Sequence, residues 1–162
     1  MSFTLHPLSQ RQLHHLAQSR TPPELASRAA QGALPPAFVA ARSLAQLAEG
    51  KSAFWCSTFL IVRETDQQIV GSCGFKNQPQ AGRVEIGYGV SAACRRQGAA
   101  SAAVSALLKL AFSNGVTEVL AEIAPLNAAS AAVVQKAGFK ITGTRIEPDN
   151  ETLIQWVAKS AT

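Results

Sequence analysis

The sequence predicts a mixed α/β fold of the α+β class, and three observations predict it. Helical periodicity punctuated by proline and glycine fills the first fifty residues; residues 53–90 hold three strand-like runs joined by short turns; after Gly98 the pattern runs helix, strand, helix, hairpin. With 162 residues, 47% of them hydrophobic and 15% charged, the chain suits one domain over residues 1–162 with a substantial core.

The elements follow in order. Phe3 to His6 reads as a short strand ending at Pro7, and Ser9 caps a helix running to about Ser19 with Leu13, Leu16 and Ala17 on one face. Thr21 as cap and Pro22 in the first turn open a second helix that reaches about Gln31 and closes at Gly32. A third helix follows Pro36 and ends at Gly50. This region carries Arg11, Arg20, Arg28 and Arg42 against Glu24 and Glu49, and no motif in it attaches to chemistry. Ala53 to Arg63, Gln68 to Lys76 and Arg83 to Val90 read as an antiparallel meander, with turns at Glu64–Gln67 and NQPQAG. Ala100, Val104, Leu107, Leu108 and Ala111 keep helical spacing from Gly98 to about Asn114. Val116 to Ala124 is a strand, Asn127 to Ala137 a helix, and strands on either side of the Glu147–Asn150 turn complete the chain.

Composition narrows the function. The net charge of +5 is dispersed, and without a basic patch or interleaved aromatics it argues against nucleic acid. No apolar run reaches membrane-spanning length, and the first residues lack the apolar core of a signal peptide, so a cytoplasmic protein is expected. Cys56, Cys73 and Cys94 form no CxxC pair and read as free thiols; Cys94 lies beside two arginines but reads as a loop residue, not a nucleophile. No metal site is expected.

One stretch carries a chemical signal. In VEIGYGVSAACRRQGAAS, Val84 to Ser101, a strand runs through a small-residue turn into a helix. The turn holds Arg95, Arg96, Gln97, Gly98, Ala99, Ala100 and Ser101. Unpaired N–H groups at a helix start carry partial positive charge, and small side chains let an anion approach the main chain. A phosphate-bearing ligand is the reading; a basic, tightly packed helix entrance is the alternative. A Walker loop is absent because no Gly-Lys-Ser/Thr occurs, and Gly87 and Gly89 lack the third glycine of a dinucleotide fingerprint.

These residues resemble the GNAT superfamily of N-acetyltransferases. RRQGAA fits the pattern [QR]-x-x-G-x-[GA] through Arg95, Gly98 and Ala100, and EIGYGV (Glu85 to Val90), AEIAPLN (Ala121 to Asn127), Ser130 and KAGF (Lys136 to Phe139) extend it. The set most resembles the branch of ribosomal-protein N-terminal acetyltransferases (RimJ/RimL-like), over about residues 54–158. The resemblance implies a mostly antiparallel sheet of about seven strands, splayed after Val90, with acetyl-CoA as co-substrate in the wedge. It implies that N–H groups from Arg96 through Ser101 hold the pyrophosphate, that the main chain at Val90 aligns the thioester, and that Asn127 bonds the pantetheine arm. Asn127 also suits a helix N-cap, and Ser130, one turn on, faces the same ligand.

The implied activity is transfer of acetyl to a primary amine, a protein N-terminus or a small molecule, by direct attack in a ternary complex. A lysine amine with pKa about 10.4 is almost never neutral at pH 7, an α-amine near 8 roughly one time in ten, so a carboxylate base matters more for the former. Glu122 matches the base position of some N-terminal acetyltransferases of the family, and Glu85 begins the EIGY strand near the position others use. Either is equally a strand-edge charge paired to a neighbour such as Arg83. Many relatives carry a Tyr four residues before the Gly-Phe pair to protonate the leaving thiolate; Val134 stands there. Ser130 is left as a candidate to assist the thiolate, and Tyr88, the only tyrosine, packs on its strand or reaches the acceptor. The missing tyrosine also suits a non-catalytic CoA-binding module. Glu147, Asp149 and Glu151 gather near the implied acceptor entrance, as a cation lure or a solvated turn.

Overall fold

A computed structural model describes residues 1–161. Seven strands form one sheet in the order β1-β2-β3-β4-β5-β7-β6, comprising β1 (Phe3–Pro7), β2 (Thr58–Arg63), β3 (Ile69–Phe75), β4 (Arg83–Val90), β5 (Glu118–Ile123), β6 (Lys140–Ile146) and β7 (Thr152–Lys159). Every neighbouring pair is antiparallel except β4 with β5.

That parallel pair makes the site. β4 and β5 are in register only at Arg83–Glu118, Val84–Val119 and Glu85–Leu120. Beyond Glu85 the two strands part, and the β4 edge from Ile86 to Val90 has lost its partner on that side. The parting point falls before the EIGY strand is complete, not after Val90 as the resemblance implied.

Two apolar layers hold the sheet. On one face the long helix α5 (Ala99–Ser113) buries Ala103, Val104, Leu107 and Ala111 completely among residues that include Ile61, Val84, Ile86 and Val119. Leu107 alone contributes about 1.5–3 kcal/mol by leaving water. α6 (Ala128–Lys136) joins this layer through the fully buried Val134. On the other face Leu13 and Leu16 of α1 (Gln10–Ala17), Leu25 of α2 (Pro23–Ala26) and Ala40 of α3 (Ala37–Ala48) cover Leu60, Val62 and Ile69. The switch between Leu60, Ile61 and Val62 is the two-residue alternation of a strand buried on both faces.

Local signals explain most boundaries. Ser9 accepts from Gln12 N while Gln12 Oε1 accepts from Ser9 N, a reciprocal cap that starts α1. Gly50, at φ +84, ends the turn after α3, a backbone conformation that costs a side-chain-bearing residue about 1–2 kcal/mol.

Two expectations fail for tertiary reasons. The second helix does not reach Gln31 and is not capped by Thr21: α2 begins after Pro22 and stops at Ala26. The chain then serves the sheet instead, with Ile69 N donating to Arg28 O and Ala30 N to Ile69 O. Nor does the strand begin at Ala53, because Ala53–Cys56 is one helical turn, α4. Its aromatics, which suggested a strand, cluster on Phe75 instead, with Trp55 4.8 Å and Phe54 6.1 Å from it between ring centroids.

Candidate active site

Two cavities flank the exposed edge of β4. The first, about 540 Å³, runs from β4 along the Cys94–Ser101 turn to α6. The second, about 500 Å³, lies between the parted strands and α3. They share Tyr88, Gly89, Val90, Asn127 and Ser130, so the seam between them is the point where β4 and β5 separate.

The first cavity is built mainly from backbone. A 3-10 turn at Ala92–Cys94 follows Ser91, whose hydroxyl donates to the Gln31 carbonyl at 2.7 Å. Arg96 and Gly98 then adopt left-handed φ values of +63 and +89, which turn the chain into α5. Gly98 offers no side-chain cap, and the first turn of α5 contains no acidic residue. Its first N–H groups thus open on the cavity, and a Cβ at Gly98 would meet nothing within 4 Å. This geometry fits a pyrophosphate: space, donors and partial positive charge converge. Arg95, Arg96, Gly98, Ala99, Ala100 and Ser101 line it. Gln97 does not; its Oε1 accepts from Arg63 Nη1 at 2.7 Å, while Arg63 also grips Asp66 through bonds of 3.0 and 2.6 Å. Arg63 holds the Asp66 carboxyl down to about 2 and ties β2 to the turn.

Asn127 caps α6, its Oδ1 accepting from Ser130 N at 3.1 Å, and it also lines both cavities with its amide nitrogen uncommitted among the described residues. Cap and ligand group are compatible roles. The Ser130 hydroxyl is likewise uncommitted, and the Ser130 carbonyl accepts from Tyr88 OH at 3.2 Å. Burial raises the Tyr88 phenol pKa, partly offset by that bond.

The second cavity is lined largely by apolar and small residues, and its charged side chains are Arg42, Lys76 and Glu122. Glu122 lines it with its carboxylate only 5% exposed. Arg145 chelates that carboxylate, Nε at 2.8 and Nη2 at 2.8 Å, and Gln155 Nε2 adds a bond at 3.0 Å. The Arg145 bonds lower its pKa against the opposing effect of burial. Glu122 is a fixed negative charge and a weakened base. Glu85 does not line either cavity; Lys76, whose Nζ pairs with it at 2.8 Å, does line the second, and among the described residues Glu85 Oε2 has no other donor. Arg83, the neighbour suggested for either glutamate, pairs with Glu118 at 3.4 Å.

The remaining candidates fall outside the seam. Glu147, Asp149 and Glu151 line neither cavity; Glu147 pairs with Arg145 at 3.1 Å, and Asp149 accepts from Glu151 N. The three cysteines are buried and free, with burial pushing the Cys73 thiol up to about 12. Among the described residues no helix is long and apolar enough to cross a membrane, and no three His, Cys, Asp or Glu side chains gather as a metal site.

Sequence reasoning missed Arg42, Lys76, Arg145, Gln155 and Arg63. No local signal marks them: Gln155, for one, meets Glu122 only through the register of β5 with β7.

The acetyltransferase (GNAT) domain model matches residues 2–140. The chain belongs to the GNAT acetyltransferase family, whose members take acetyl from acetyl-CoA. An uncharacterized N-acetyltransferase p20 from Bacillus licheniformis is 34% identical over 86 residues, 52% of this chain and 48% of that protein; the match thus spans about half the length of that relative. Aminoglycoside acetyltransferase AAC(6')-Ib, solved in complex with coenzyme A, shares the fold with a TM-score of 0.68 at 18% identity, covering 98% of this chain and 95% of that one. The ribosomal-protein-S5-alanine acetyltransferase from Vibrio fischeri does so with a TM-score of 0.69 at 14% identity, over 99% and 94%. The GNAT fold thus accommodates this chain almost end to end.

Proposed function

We propose that this protein is an acetyl-CoA-dependent N-acetyltransferase that acetylates a primary amine by direct attack in a ternary complex. The observation that carries the reading is the seam: a cavity suited to CoA and a charged cavity meet at Tyr88–Val90, Asn127 and Ser130. Acetyl-CoA supplies the acetyl group. Arg95, Arg96 and the N–H groups at the start of α5 hold its phosphates, and Asn127 uses its free amide nitrogen on the pantetheine arm. The β4 edge near Val90 fixes the thioester, where backbone N–H groups stabilise the oxyanion of the tetrahedral intermediate.

The acceptor approaches from the second cavity. Glu122, held ionised by Arg145 and Gln155, stabilises the positive charge that develops on the attacking nitrogen instead of serving as a strong base. An amine of ordinary α-amino basicity then suffices, since roughly a tenth of it is already neutral near pH 7. Glu85, tied to Lys76 outside the cavity, takes a supporting electrostatic part. Ser130, with its hydroxyl free at the seam, is the nearest assignment for assisting the departing thiolate, because the helix position used by relatives holds the buried Val134.

Measuring CoA release against α-amino peptides and small amines tests the reading. Turnover on at least one amine is expected. Tight acetyl-CoA binding without turnover on any amine would instead make this a CoA-binding module.

A further inference from the structure

The second cavity is lined by one charge that no described residue answers with a hydrogen bond or ion pair. Lys76 pairs with Glu85 at 2.8 Å, and Arg145 pairs with Glu122 at 2.8 Å. Arg42, on α3, also lines the cavity, yet it makes no hydrogen bond or ion pair with any described residue. Burial disfavours its charge, and the only opposing influence is the more distant Glu85, already engaged by Lys76. Lys76 and Glu122, the other charged side chains that line the cavity, thus each have a partner, and among the described residues the lining charge without one is that of Arg42.

That guanidinium stands on a braced wall. Its neighbour Ser43 is buried and hydrogen-bonded to Thr58 on β2 at 3.1 Å. One turn on, Gln46 Nε2 donates to the Lys76 carbonyl at 2.8 Å. Both bonds anchor the turn of α3 that follows Arg42. A half-buried arginine fork on an anchored helix, without a partner among the described residues, suits a planar oxyanion, which it can meet with two parallel bonds.

We propose that the acceptor carries a carboxylate or phosphate alongside its reactive amine, and that Arg42 binds this anionic group. The inference rests on the acetyl-transfer reading and narrows its acceptor to a small amine that is also an acid. Such a molecule brings one charge of each sign: its nitrogen meets the Glu122 side of the cavity, its oxyanion the Arg42 side. A polycationic amine would bring no oxyanion to meet the Arg42 guanidinium.

The test pairs each acid with its uncharged counterpart. β-Alanine against β-alaninamide and L-serine against L-serinamide probe the carboxylate, 2-aminoethylphosphonate probes the phosphate type, and putrescine, kanamycin and a short alanine-started peptide are the competitors. Compared at equal concentrations of the neutral amine, CoA release should favour the acid over its amide by about 10- to 100-fold in kcat/KM, the size expected of a charge-assisted bond. The preference should lie in KM. Arg42→Gln should bring the acid-to-amide ratio close to one, and Arg42→Lys should keep part of it, with thermal melting as the check that each variant is folded. Equal use of acid and amide, or better use of the polycations or the peptide, would overturn the proposal.

Calorimetric titration of the same acids into the protein–CoA complex keeps the question separate from catalysis. Binding that needs the anion and is lost in Arg42→Gln supports the inference even if no amine is turned over, in which case only the transfer reading fails. Absence of anion-dependent binding in the native protein overturns it.

Discussion

The two cavities on either side of the seam are made differently. The CoA side is written in main chain: a left-handed glycine, a helix start without a cap and a run of alanines and serine contiguous from Gly98 to Ser101. The acceptor side brings together residues of α3, β3, β4 and β5, with Glu122 held by Arg145 of β6 and Gln155 of β7, and these meet only after the sheet has formed. A backbone site depends on residues being small and on one conformation. A side-chain site depends on pairwise charge balance, and it can be retuned one residue at a time.

The largest expected effect breaks the backbone site. Gly98→Glu places a carboxylate where the pyrophosphate should lie and forces a side-chain-bearing residue into φ +89. Acetyl-CoA affinity should fall at least 100-fold. Gly98→Asn, which tolerates left-handed backbone and adds no charge, should keep most of it, as isothermal titration would show. Equal affinity in a folded Gly98→Glu variant would detach the phosphate from this turn.

An intermediate effect is expected where the charge pairs are broken. Arg145→Gln leaves the buried Glu122 carboxylate with Gln155 as its remaining partner, which should destabilise the protein by about 1–3 kcal/mol in urea. The pH dependence has a definite sign. The folded Glu122 pKa lies below its ordinary value, so the pair's contribution is present above the unfolded carboxylate range and is lost as pH falls through the folded value. In Arg145→Gln the pKa rises, and that loss of stability should begin at higher pH. Melting curves at pH 3 to 7 check both statements.

The smallest effect tests whether the backbone site needs side-chain support at all. Arg63→Ala removes the donor to Gln97 and frees the turn from β2, so acetyl-CoA affinity should weaken only several-fold, with kcat on a saturating amine nearly unchanged. A loss as large as that of Gly98→Glu would mean that the brace, not the main-chain geometry, makes the site.

The same contrast explains how much the sequence revealed. The meander, the long helix, the final hairpin and the CoA turn were legible because proline, glycine and small residues act locally on the chain that carries them. The aromatic run Ala53 to Cys56 misled because its rings pack on Phe75, a contact from beyond the local window. Residues Arg28 to Ala30 were assigned to a helix because nothing local announces that they will pair with Ile69. Glu122 was found by its place in AEIAPLN, but its clamp was not, since Arg145 and Gln155 reach it across a hairpin register. Arg42 lay in a region without any motif, and only the third dimension shows that it lacks a partner among the described residues.

The central claim is that two substrates occupy the two cavities together and react across the seam. Initial-rate measurements with acetyl-CoA and a turned-over amine both varied test it most directly. Double-reciprocal lines that intersect are predicted, as a ternary complex requires. Parallel lines, with a stable acetylated protein isolated in the absence of amine, would contradict it.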